Sequence, residues 1–184
     1  MKKVLIGGIG NILLGDDGVG PYIARLLTAF YEFDENVEVV DLGTPALDLI
    51  DQISGKDAVI LIDSIKADAP AGTVLLCGKA DICRNSPCVR MDPHSPALVE
   101  TLLAADMFSV APRELLLVGI VGESYDSGCE LSDAVRASTP HAITEILSEL
   151  HRLSIPYWGR ENPAEAGIWW TAVKEHPPAL ACRH

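Results

Sequence analysis

Basic residues are scarce in this chain. Its 184 residues hold 14 Lys and Arg against 26 Asp and Glu, a formal net charge of −12. Nucleic acids and anionic membrane surfaces select Lys/Arg-rich faces, so neither is expected as a partner, whereas cations and basic proteins are. Long apolar runs are missing too: none reaches the roughly 18–20 residues that span a bilayer. The N-terminal Lys2-Lys3 and the apolar residues after them imitate a secretion signal. Asn11 interrupts the stretch, Asp16 and Asp17 follow it, and no small-residue cleavage site appears, so a cytoplasmic protein is expected. The five cysteines (Cys77, Cys83, Cys88, Cys129, Cys182) are odd in number and form no CxxC pair. That argues against a disulfide framework and against a structural zinc site. No internal repeat or low-complexity tract is present. What remains is a 48% hydrophobic chain long enough for one domain with a full core.

Lys3 to Ile9 is apolar, β-branched and bounded by glycine, the pattern of a buried strand. A glycine-rich loop follows, and Pro21 opens a helical pattern over YIARLLTAFY. Val37–Val40 form a second strand ending at Asp41. Thr44-Pro45 introduce a short helix through Ile53, and Ala58–Ile62 form a third strand ending at Asp63. The alternation β-α-β-α-β, with strands apolar on both faces, predicts a parallel sheet covered by helices. The connection from Asp63 to Gly72 is too short for a helical crossover, so the strand Gly72–Cys77 is expected to run antiparallel to its neighbour. A long polar loop over 79–96, a helix over 96–108, a strand over 115–121 and a helix from Ser132 to about Leu153 complete the pattern, with Pro140 a kink or restart. Residues 1–153 thus read as one α/β domain. Residues 154–184, with four prolines and three tryptophans, show no periodicity and read as an extension, either wrapped on the domain or mobile.

The first strand, Gly8-Ile9-Gly10 and Asp41 at the end of the second strand imitate a dinucleotide fingerprint. However, Leu13 stands where the third glycine belongs, Asp16 and Asp17 would repel a pyrophosphate, and no G-x-x-x-x-G-K-[ST] arrangement appears. A G-x-S-x-G elbow is also missing around Ser64. The acids fit a cation site better. With strand order 2-1-3, the crevice at the carboxyl ends of strands one and three receives both Asp17 and Asp63. Repulsion between them raises a pKa or demands a cation. His94, between Pro93 and Pro96 in the long loop, is placed to join them, and two carboxylates with an imidazole suit zinc or nickel. Taken singly, each has a plainer reading: Asp17 as a helix cap, Asp63 as a turn cap, His94 as an exposed loop residue. Their convergence is what tips the balance. Asp16, Asp41 and Asn11 are counted as supporting residues, and Asp41 either lines the cleft or caps the next helix.

The run Gly8-Ile9-Gly10-Asn11-Ile12-Leu13-Leu14-Gly15-Asp16-Asp17-Gly18-Val19-Gly20-Pro21 resembles the opening motif of hydrogenase maturation endopeptidases. The likeness continues through Asp41-Leu42-Gly43-Thr44, Val59 to Ser64, Ser95-Pro96 beside His94, and Leu117 to Val121, covering roughly residues 1–152. The resemblance implies a three-layer α/β/α sandwich on a mixed five-stranded sheet, mostly parallel with one antiparallel strand. It implies that Asp17, Asp63 and His94 fall on the family's metal positions, Asp17 where some members carry Glu. It further implies a monomeric endopeptidase that trims the C-terminal extension of a nickel-iron hydrogenase large-subunit precursor once nickel is inserted. The nickel is then carried by the substrate, with zinc or cadmium as stand-ins in vitro. The rival expectations are a nickel-dependent binding or chaperone module that does not cut, and a nucleotide-binding α/β enzyme.

Overall fold

The computed structural model describes residues 2–45, 48–83 and 96–169. Five strands form its main sheet: β1 (Val4–Ile9), β3 (Val37–Gly43), β4 (Ala58–Ile65), β5 (Val74–Gly78) and β6 (Glu114–Val121). Their order is β3-β1-β4-β6-β5. The first four in that order are parallel, and β5 runs antiparallel on the β6 edge. This is the mostly parallel sheet expected. The short β4–β5 connection spans over β6, so the antiparallel neighbour of β5 is β6 and not the strand before it.

Alternation along the strands builds two cores. Val4, Ile6, Ile60, Ile62, Val118 and Ile120 face α1 (Val19–Phe30) and α5 (Asp133–Arg152). Leu5, Val59, Leu61, Leu115 and Leu117 face α2 (Leu49–Ile53), α3 (Lys79–Cys83) and α4 (Pro96–Met107). Strands apolar on both faces are what a sheet between two helical layers requires. The helix α5 begins as expected, with Ser132 Oγ accepting from the Val135 N–H. It runs on through Pro140, and the Thr139 hydroxyl donates to the Arg136 carbonyl that Pro140 has no N–H to reach.

Three local readings change. The pattern of α1 stops at Phe30, and Tyr31–Phe33 form a short strand, β2, paired antiparallel with β7 (Tyr157–Gly159). Tertiary pairing has overridden helical spacing there. Residues 79–83 are a turn of helix within what reads as loop. β4 continues to Ile65, so Asp63 lies inside the strand near its end.

A close crossing locates the site. A Cβ on Gly20, in the first turn of α1, would lie 2.2 Å from the Ile9 carbonyl oxygen and 2.5 Å from that of Ile62. One on Gly8 would lie 2.3 Å from the Gly20 oxygen. Helix backbone therefore rests directly on the carboxyl ends of β1 and β4. Among the described residues no helix is long and apolar enough to cross a membrane.

Candidate active site

Asp17 sits in a 3-10 turn, Gly15–Gly18, between β1 and α1. One carboxylate oxygen accepts the Asn11 N–H at 2.7 Å and the other accepts the Ser64 hydroxyl at 3.1 Å. The glycine loop needs Gly10: its φ is +137°, and a Cβ there would meet the Asp17 carbonyl at 1.7 Å. Asp63 arrives from β4 at the same rim. Burial pushes its carboxyl well above the ordinary carboxylate range, and the negative charge of Asp17 pushes it further, while the Ser64 N–H works in the opposite direction. The structure thus brings together the two acids that topology predicts, as a like-charged pair at the carboxyl ends of β1 and β4. His94 lies outside the described residues. Within them no group of three His, Cys, Asp or Glu side chains is gathered for a metal.

The supporting residues separate into distinct roles. Asp16 is fully buried and accepts three backbone N–H groups: Glu123 at 2.7 Å, Ser124 at 3.0 Å and Ser132 at 2.7 Å. It ties the glycine loop to the connection between β6 and α5. Asn11 stiffens the loop by accepting the Leu13 N–H on its side chain. Asp41 is exposed, accepts the Gly43 N–H at 3.0 Å, and lines a shallow cleft with Gly10, Asn11, Ile12 and Thr44. Of its two readings, the cleft wall is the one the geometry supports, since α2 starts only at Leu49.

Two further residues belong to the constellation. Ser64, weighed in the sequence only as a nucleophile, holds Asp17 instead. The Tyr125 hydroxyl donates to the Ile65 carbonyl at 3.2 Å and lies within hydrogen-bonding reach of Ser64. Its pKa is raised chiefly by burial; Ser64 opposes this, and the charges of Asp17, Asp16 and Asp63 add to it. A signal for Tyr125 was available: β6 is parallel to β1 and β4, so the residues after Val121 must land on the same rim.

The loop's donors bear on the nucleotide reading. The N–H groups of Gly10, Asn11, Leu13, Leu14, Gly15, Asp16 and Asp17 are all bonded to Gly43, Asp17, Asn11, Gly128, Ser124 or Leu14. A phosphate cradle needs such donors pointing outward. This loop uses them on itself and its neighbours. Among the described residues no histidine stands beside Ser64: His141 and His151 are exposed on α5. What the described residues present at this rim is a pair of carboxyl groups, Asp17 and Asp63, with a serine hydroxyl on one of them.

A family model for hydrogenase maturation protease matches residues 21–149. The chain is 32% identical over 164 residues to the hydrogenase expression/formation protein HupM of Azotobacter chroococcum mcd 1, covering 89% of this chain and 78% of that protein. It is 29% identical over 164 residues to the hydrogenase 2 maturation protease of Escherichia coli (strain K12), covering 86% and 97%. Among solved structures it is similar to the hydrogenase maturating endopeptidase HybD from E. coli, with a TM-score of 0.80 at 27% identity over 86% of this chain and 98% of that one. It is also similar to the [NiFe] hydrogenase maturation protease HybD from Thermococcus kodakarensis, with a TM-score of 0.64 at 29% identity over 80% and 98%.

Proposed function

The chain belongs to the hydrogenase maturation protease family, and from that premise we propose that it removes the C-terminal extension of a nickel-iron hydrogenase large-subunit precursor after nickel insertion, recognising the nickel through Asp17, Asp63 and His94. One observation carries the reading of the site. Asp17, in the turn between β1 and α1, lies near enough to Asp63, near the end of β4, for its charge to add to burial in pushing the Asp63 carboxyl up. Such a pair is costly unless a cation joins it. The ion belongs to the substrate, and the protease supplies the missing oxygen and nitrogen donors.

This division explains what each residue does. Asp17 is aimed by the Asn11 N–H and the Ser64 hydroxyl, which take one lone-pair direction on each oxygen and leave others free. Asp63 is fixed by its strand. Ligation of the substrate's nickel by these groups would bring the scissile amide to the crevice and polarise its carbonyl as a Lewis acid. Attack by water on that carbonyl breaks the C–N bond and releases the extension as a peptide. Zinc or cadmium in place of nickel would serve the same donors in vitro. This reading takes the protein as a cytoplasmic monomer.

The test is the intact mass of a nickel-loaded precursor before and after incubation with the protein, beside a nickel-free precursor. A discrete C-terminal peptide lost only from the nickel form is the expected result, and Asp17→Ala and His94→Ala should abolish it with the fold intact. An unchanged mass with a stable complex would instead support a binding module that does not cut. Full cleavage by the double variant would refute the assigned residues.

A further inference from the structure

After β7 the chain turns back along α1, from its C-terminal end to its first turn. The Arg160 N–H donates to the Phe30 carbonyl at 2.9 Å. Its guanidinium reaches the carbonyls of Thr28 and Tyr31 and pairs with Glu32 at 2.7 Å. Further along, the Ala164 N–H donates to the Ala29 carbonyl at 3.1 Å. Then Arg25 Nη1 donates to the Gly167 carbonyl at 2.7 Å, and its guanidinium lies 5.1 Å from the centre of the Trp169 ring.

Trp169 is the last anchor of this strap. Its Nε1 donates to the Cys129 carbonyl at 2.9 Å, and its ring meets Tyr22 edge-on at 6.4 Å. Its Cζ2 lies 3.2 Å from where a Cβ on Gly18 would stand. Gly18 follows Asp17 directly. Gly128, beside Cys129, exchanges backbone bonds with the same loop: it accepts the Gly15 N–H at 2.8 Å and donates to the Leu13 carbonyl at 2.9 Å. One indole therefore spans the first turn of α1, the turn that carries Asp17 and the segment that backs it.

We infer that Trp169, anchored by Arg25, is a positioning residue for the processing reaction: it clamps the Gly15–Gly18 turn and so fixes where the Asp17 carboxylate stands. The inference rests on the reading that Asp17 meets the substrate's metal. It assigns a task to residues that the sequence left as an extension of unknown purpose. A ligand carboxylate displaced by an ångström costs rate rather than folding, because the turn is held to the connection between β6 and α5 independently by the buried Asp16.

The experiment uses the full-length chain and its Trp169→Ala, Trp169→Phe and Arg25→Ala variants, each assayed with nickel-loaded precursor and by hydrogen exchange. Trp169→Ala should lower kcat by about tenfold or more with KM within about twofold, Trp169→Phe should recover most of the loss, and Arg25→Ala should fall between. Exchange should quicken at the amides of 11–18 and stay unchanged in β1 and β4. Wild-type kcat in Trp169→Ala would overturn the inference. So would protection lost across the whole sheet, or an equal loss in Trp169→Phe and Trp169→Ala. If the wild-type protein cuts no precursor, the functional reading fails, but the exchange measurement still decides the clamp: unchanged amides at 11–18 in both Trp169→Ala and Arg25→Ala refute it.

Discussion

Adjacent aspartates in one loop should fail in opposite ways. Asp16 is wholly buried and accepts three backbone N–H groups. Replacing it with Ala orphans all three donors in a site closed to water. A hydrogen bond to a charged acceptor contributes about 1.5–3 kcal/mol, and an orphaned buried donor costs a similar amount. Partial relaxation of the 122–132 loop would recover some of this, which leaves a loss of about 4 kcal/mol. For a chain of this size that lowers Tm by about 8–16 °C. Asp16→Asn keeps one acceptor oxygen and turns an amide N–H toward donors, so about half the loss is expected. Asp17→Asn is different. Its oxygen can still accept the Asn11 N–H, its new N–H₂ can donate to Ser64, and a negative charge beside Asp63 disappears. Its stability should stay within about 1 kcal/mol of wild type while processing is lost. Urea unfolding at pH 7, with the slopes compared to exclude a change in the unfolded state, measures all three. A loss below about 1 kcal/mol in Asp16→Ala would refute the assignment of Asp16 as the structural tie. Equal losses in Asp16→Ala and Asp17→Asn would refute the division of labour.

Asp63 carries a pH signature. In the unfolded chain it loses its proton near the ordinary value of 3.8, and in the folded protein well above it. Between those points the native state binds more protons, so stability should fall as pH rises from about 4 and level off past the folded pKa. Asp63→Asn should lack this descent, and urea midpoints from pH 4 to 8 with a chelator present would show the two curves diverging; parallel curves would contradict it. Gly20→Ala should cost at least about 3 kcal/mol, because its methyl would press on two carbonyl oxygens that cannot move without parting α1 from the sheet. Near-wild-type unfolding would show that the crossing yields more than its geometry implies.

The sheet was legible because its strands are apolar on both faces and its connections have characteristic lengths. Asp17 and Asp63 were legible for the same reason: parallel strands bring their carboxyl ends to one rim, whatever the side chains. Tyr31–Phe33 was not, because its partner Tyr157–Gly159 lies over 120 residues away and three residues carry no period of their own. The sequence singles out Asp17 and counts Asp16 as supporting, but the role of Asp16 as a buried tie was not legible, since which of two neighbours points inward depends on the turn between β1 and α1. Ser64 and Tyr125 escaped because each acts through a neighbour, and such pairing leaves no spacing to read. The course of residues 160–169 escaped because it follows single contacts made by Arg25, Arg160 and Trp169, with no repeating pattern.

The bare contact between Gly8 and Gly20 bears on how this protein can change over generations. Side chains elsewhere in the two cores can swap volume for volume, and the layers will shift by fractions of an ångström to accommodate them. At this crossing no side chain stands between helix and sheet to transmit such a shift, since carbonyl oxygens and Cα atoms are already in contact. The spacing between the first turn of α1 and the strand that bears Asp63 is thus set by backbone contact at this crossing. Core sequence is free to drift while that spacing is inherited unchanged.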